Sequence, residues 1–165
     1  MKKYLVASAL ACAAISSSAF AADGVINFTG KIVDNACVVN PTLNVQMGDV
    51  AAAKFKNVGD ESDYKEFTLQ LKDCPANLKA AKVTLDGAVD DKDAKLFKLD
   101  DGGAAGLALR INGPDNEHLL PGAASAEIAL SEGDNLLPFT VAYRSTDKVT
   151  AGDANATIQF SVSYN

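Results

Sequence analysis

The sequence predicts a single all-β domain built as a sandwich. Three observations carry this. Apolar and polar residues alternate with a period of two through most of the chain. Clusters of Gly, Pro, Asn and Asp separate the alternating runs, and no long stretch repeats with the helical period. Composition sets the character of the core. Hydrophobic residues make up 48% of the chain, but aromatics only 7%, with no tryptophan, so the interior is expected to be thin and aliphatic.

The first segment is not part of that fold. Lys2 and Lys3 precede an apolar run from Tyr4 to Ile15, followed by Ser16-Ser17-Ser18 and Ala19-Phe20-Ala21. A basic start, a short apolar middle and small residues at the end form the pattern of a secretory signal peptide. The run is shorter than the ~20 apolar residues of a spanning helix. An N-terminal anchor is the alternative. Residues 1–21 are read as the signal, with cleavage after Ala21 and the exported chain starting at Ala22. Cleavage removes two lysines and no acid, so 15 basic and 21 acidic residues become 15 − 2 = 13 and 21, a net charge of about −8. That balance argues against nucleic acid and anionic lipid, both of which attract positive charge, and favours solubility.

The strands follow in order. Ile26, Phe28 and Ile32 share one parity, with Gly24 and Gly30 in the same register. Val45 and Met47 alternate with Asn44, Gln46 and Gly48. Phe67, Leu69 and Leu71 lead into Asp73-Cys74-Pro75, and Val83 and Leu85 into Asp86-Gly87. Leu107, Leu109 and Ile111 make another run. Leu137, Phe139, Val141 and Tyr143 make the next, interrupted at its start by Pro138. The chain closes on Ala156 to Asn165, where Ile158, Phe160, Val162 and Tyr164 share a face.

Turn chemistry separates these runs at Asn40-Pro41, Asn57-Val58-Gly59-Asp60, Asp101-Gly102-Gly103, Asn112-Gly113-Pro114, Pro121-Gly122 and Glu132-Gly133-Asp134. Ala51-Ala52-Ala53 and Ala76 to Ala81 each suit a helical turn. Asp90 to Asp93 and Asp100 to Gly103 read as exposed loops. A strand needs partners for its N–H and C=O groups. With a strand at each end of the exported chain, pairing with other chains is possible at both ends, which points to assembly rather than catalysis.

The residues that chemistry would need are scarce. Cys12 leaves with the signal, and Cys37 and Cys74 remain in an exported protein. Export and an even count make a disulfide the default, with two free buried thiols as the alternative. Such a bond contributes about 3–4 kcal/mol in the chain-entropy model. Their spacing excludes a Cys-x-x-Cys redox pair. The one histidine, His118, is read as solvated surface, because no Gly-x-Ser-x-Gly nucleophile motif accompanies it. Zinc clusters and a phosphate-binding loop are absent, and the acidic loops lack the glycine and terminal glutamate of a calcium-binding EF-hand. No metal or cofactor is expected. Asn27-Phe28-Thr29 and Asn155-Ala156-Thr157 match the glycosylation rule and are taken as accidental.

Several segments now combine: Gly24 to Gly30 (Gly-x-Ile-x-Phe-x-Gly), Ile32 to Cys37, Val45 to Val50, Phe67 to Cys74, and Thr150 to the penultimate Tyr164. Together, in this order and over the whole exported length, they resemble the major pilin of chaperone–usher, type 1-like fimbriae. The resemblance implies an incomplete immunoglobulin-like sandwich lacking its final strand, which a donor strand from a neighbouring subunit completes. It implies a structural fimbrial subunit that polymerises head to tail after chaperone-assisted export and supports adhesion, with no enzymatic activity.

Residues 22–32 would then be the donor extension and residues 33–165 the pilin domain. Ala22, Gly24, Ile26 and Phe28 would enter the neighbour's groove. The apolar groove would include Phe67, Leu69, Leu109, Phe139, Val141, Phe160 and Val162. The C-terminal strand, Ile158, Phe160, Val162, Tyr164 and Asn165, would meet a periplasmic chaperone. The implied partners are identical or related pilins, the chaperone and an outer-membrane usher, and the implied destination is the cell surface, through the periplasm. Only Ala22 and Asp23 precede Gly24, fewer than family extensions usually carry, which is expected to weaken the outermost contact and slow exchange. The alternatives are a minor or tip pilin or an adhesin subunit, though a two-domain adhesin would not fit this length, and a periplasmic enzyme on a sandwich fold.

Overall fold

In the computed structural model, which describes residues 36–165, the period-two runs become strands whose apolar parity is buried. Among the described residues eight strands follow in chain order: β1 Val38–Val39, β2 Lys65–Cys74, β3 Ala80–Asp86, β4 Phe97–Lys98, β5 Ala105–Asn112, β6 Ile128–Ala129, β7 Gly133–Thr150 and β8 Gln159–Tyr164. They form two antiparallel sheets, a five-stranded one ordered β1-β2-β7-β5-β4 and a three-stranded one ordered β6-β3-β8. The fold is the incomplete sandwich that the resemblance implies: the smaller sheet is too narrow to match the larger one.

The core lies between the sheets. Leu69 and Leu71 of β2, Leu109 and Ile111 of β5, and Leu137, Phe139 and Val141 of β7 come from one side, and Ala81, Val83 and Leu85 of β3 from the other. Burying each large aliphatic or aromatic side chain stabilises the fold by about 1.5–3 kcal/mol. Phe67 and Phe139 are direct cross-strand partners, and their rings stack with centroids 5.3 Å apart. Leu69, Leu109, Phe139 and Val141, expected to line an open groove, are instead buried in this interior; Phe67, Phe160 and Val162 are half-buried. The four point inward from β2, β5 and β7, the three central strands of the larger sheet.

β7 is far longer than the expected run because it changes partners along its length. Gly133–Val141 pairs with β2, and Thr140–Thr150 with β5. Pro138 sits in the half that lacks the β5 ladder, where a residue without an N–H is tolerated. Where β5 and β7 begin to pair, the register slips between Ala105 and Leu107, and Gly106 takes φ 73°. A Cβ there would lie 2.4 Å from the Lys148 carbonyl oxygen, so this bulge requires glycine.

Two local expectations change. Residues 43–50 keep the strand alternation, with Val45 and Met47 half-buried and Asn44 and Gln46 exposed, yet form no ladder among the described residues. A helical turn does form at Ala52–Lys54, as a single 3-10 turn. Ala76 to Ala81 is not helical: a turn closes from the Leu78 N–H to the Pro75 carbonyl, and Ala80 and Ala81 already belong to β3. Cys37 and Cys74 are bonded, with Cα atoms 4.3 Å apart. The bond ties β1 to its neighbour β2, because Cys37 abuts β1 and Cys74 ends β2.

Candidate assembly site

Among the described residues, β8 is paired along one edge only. It runs antiparallel to β3 in the register Ala81↔Tyr164, Val83↔Val162 and Leu85↔Phe160. Among the described residues no strand pairs with its other edge. The two partners fare differently. Val83 and Ala81 of β3 are fully buried, whereas Phe160, Val162 and Tyr164 on the facing positions of β8 are half-buried. Among the described residues the apolar face of β8 therefore lacks a lateral neighbour, and its outer N–H and C=O groups lack a ladder.

The sequence-predicted C-terminal residues fall on this edge. Phe160, Val162 and Tyr164 share the inward face of β8, and Ile158 precedes the strand, which starts later than the expected Ala156. Ile158 packs beside Gly87, where an added Cβ would come within 3.3 Å of it. Burial raises the Tyr164 hydroxyl above its ordinary pKa. Asn165 is tied into the fold itself. Its N–H donates to the Ala80 carbonyl, its own carbonyl accepts from Lys79, and its side-chain amide donates to Glu127. Ala22, Gly24, Ile26 and Phe28 lie outside the described residues.

A second row of half-buried apolar side chains, Val39, Val45, Met47, Val50 and Phe55, packs against the core from the segment ahead of β2. Like β8, its stretch 43–50 presents strand alternation without a ladder on the described residues. Two such stretches are what a sandwich shows when one strand is missing from its smaller sheet. The segment that leads into β8 is held by backbone contact. Ala104 N–H donates to the Asp153 carbonyl, Asp100 N–H to the Asn155 carbonyl, and the Tyr143 hydroxyl to the Ala154 carbonyl at 2.7 Å.

The sequence model of the Fimbrial protein family matches residues 26–165. The chain belongs to the fimbrial protein family. It is 37% identical to the long polar fimbria protein A of Salmonella typhimurium, over 99% of this chain and 97% of that one. The type-1 fimbrial protein A chain of Escherichia coli is 34% identical, with 98% of each chain covered. Among solved structures, the P pilus rod subunit PapA superimposes with a TM-score of 0.68 at 19% identity, over 79% of this chain and all of that one, which shows the shared fold. This protein is a structural subunit of a surface fimbria, and its relatives are fimbrial subunits rather than enzymes.

One group of side chains in this fimbrial subunit was not legible beforehand. On the outer face of the larger sheet, Glu61 accepts from Arg110 at 3.0 Å, from Arg144 at 2.5 Å and from the Tyr64 hydroxyl at 2.8 Å. Burial alone would raise the Glu61 pKa, but the hydrogen bonds from Tyr64, Arg144 and Arg110 outweigh it and hold the carboxyl below its ordinary value. The three charged residues are far apart in sequence, and only the β5–β7 ladder and the Glu61↔Arg144 bridge bring them together. His118 is not solvated surface either: it is half-buried, and its Nε2 is inaccessible and without a hydrogen-bond partner. It stands opposite Asn112 across a bridge at the end of β5.

Proposed function

We propose that this subunit polymerises head to tail by strand addition, with residues 22–32 of one copy entering beside β8 of the next. The observation that carries the proposal is β8 itself: a strand paired on one side only among the described residues, with Phe160, Val162 and Tyr164 half-buried on one face. Strand addition is the established mode by which pilins engage their chaperones. The resemblance thus suggests the mode, and the one-sided pairing of β8 among the described residues supports the place. An incoming strand would satisfy the free backbone groups and cover the apolar row. Ala22, Gly24, Ile26 and Phe28 alternate so that all four present one face. A contact between different surfaces of identical copies does not close on itself, and so it generates a filament.

Before polymerisation the same edge would be filled by a periplasmic chaperone and delivered to an outer-membrane usher, after export directed by residues 1–21. The Cys37–Cys74 bond fits that oxidising route. The role is structural, without catalysis. The experiment isolates chaperone–subunit complexes of Gly24→Arg and Phe28→Asp and follows their polymerisation. A side chain at Gly24 overpacks a narrow groove, at about 1–3 kcal/mol. A carboxylate at Phe28 buries an unpaired charge, at several kcal/mol. Both variants are expected to be captured by the chaperone normally and to stop fibre growth. Polymerisation of both at the wild-type rate refutes residues 22–32 as the donor.

A further inference from the structure

The end of β5 turns back on itself through a short hairpin. Gly113 N–H donates to the Glu117 carbonyl, Asn116 N–H to the Gly113 carbonyl, and Leu119 N–H to the Ile111 carbonyl. The hairpin returns Leu119 to the core, where it is 4% exposed. His118 and Asn112 are directly opposite, so their side chains share a face. Arg110, two residues before Asn112, shares it as well, and its Nε lies 3.4 Å from the Asn112 side-chain oxygen. The imidazole is thereby set on the outer face beside the Glu61–Arg110–Arg144 cluster. Its Nε2 is inaccessible to solvent and has no hydrogen-bond partner among the described residues.

We propose that His118 makes this hairpin a pH-sensitive latch: the neutral imidazole keeps residues 113–119 closed on the sheet, and its protonation opens them. A proton on Nε2 would create a buried N–H without an acceptor and a cation facing two guanidiniums. The charges that act on the ring come from every neighbouring element. Arg110 on β5 and Arg144 on β7 oppose protonation, and Asp93 ahead of β4 and Glu61 ahead of β2 favour it. Burial is the largest influence and also opposes it, and the balance holds the pKa below the ordinary 6.5.

The sign follows from linkage. A hairpin that opens returns the histidine to its ordinary pKa, so the open form binds the proton first. Closure is therefore fully favoured above pH ~6.5 and weakens as pH falls below it. Each unit of separation between the closed and open pKa values raises the open fraction by up to tenfold. The opening would also change the cleft between Pro114 and Asp115 of the hairpin and Ala126–Ala129 around β6, the strand at the far edge of the β6-β3-β8 sheet.

The test uses isolated fimbriae and needs no assumption about how they assemble. The chain has one histidine, so exchange of its imidazole C2 hydrogen, read by mass spectrometry against pH, reports this group alone. The expected midpoint lies below that of the same peptide in denaturant. Amide exchange of residues 113–119, corrected for intrinsic rates, is expected to be several-fold faster at about pH 5.5 than at about pH 7.5 in the wild type, and unchanged in His118→Gln. A histidine midpoint at or above the denatured value overturns the proposal. So does hairpin exchange that is insensitive to pH, or equally sensitive in His118→Gln. If that variant does not assemble, the wild-type midpoint and exchange decide.

Discussion

Single atoms decide several features here. Gly103 packs so closely on the segment leading to β8 that an added Cβ would lie 1.9 Å from the Asp153 carbonyl oxygen. A backbone carbonyl cannot rotate aside as a side-chain tip can, so Gly103→Ala must push two backbones apart. The expected loss is about 1–3 kcal/mol, typical of overpacking. Gly102 is a useful contrast, because it has φ 89° and open space around it. Gly102→Ala should cost only conformational strain, about 1 kcal/mol. Denaturant midpoints of the subunit with its own extension fused in place will check this, and equal losses at the two sites would contradict the close-packing account. The Glu61–Arg110–Arg144 cluster belongs to the same scale. Nothing in the local sequence around Glu61 announced it, since each partner reads as an ordinary exposed charge until the strands are paired.

At the scale of elements, β1 depends on help from outside its own length. Two residues pair with Lys72 and Leu71 of β2, and the Cys37–Cys74 bond clamps the same place. So short a strand is only marginally stable alone. Replacing both cysteines by serine should lower stability by about 3–4 kcal/mol. Val38 and Val39 should then lose amide protection before the β2–β7 ladder does. Unchanged protection of β1 in the double variant would show that the bond is dispensable to it. The positions of β2, β3, β5 and the middle of β7 were legible because their alternation is strong and turn residues bound them. The length of β7 was not. Its second half, with Arg144, Ser145, Thr146, Asp147 and Lys148, has little apolar alternation, and it is a strand because β5 pairs with it.

For the whole molecule, the mismatch between the five-stranded and three-stranded sheets of the described residues governs behaviour. An edge strand with free backbone groups and a half-buried apolar face invites association. Expressed without a chaperone, the exported chain is expected to aggregate, be degraded or form short polymers. The same chain with residues 22–32 repeated through a linker after Asn165 should be a soluble monomer. Asn165 bonds to Lys79 and Ala80 at the end of β8, so the linker leaves from the sheet without disturbing the core. Size-exclusion chromatography with light scattering will read the outcome; a stable monomer from the unfused chain would defeat the missing-strand account. The chain's net charge of −6 limits unplanned association between folded copies.

The sequence by itself determined the all-β class, the disulfide partners, the turns and the inward parity of most strands. These properties are local: a period of two, a turn dipeptide or a pair of cysteines is complete in the residues that carry it. Which strand remained an edge was not local. Leu69 and Phe160 carry the same alternation, yet Leu69 is buried between sheets while Phe160 is half-covered on β8. Likewise, Val45 and Met47 alternate without becoming a strand, because strand formation needs a partner as well as a pattern. The tertiary structure decided those outcomes. Ladder pairing and burial depend on what lies beside a strand in space, and no residue's own sequence neighbours contain that information.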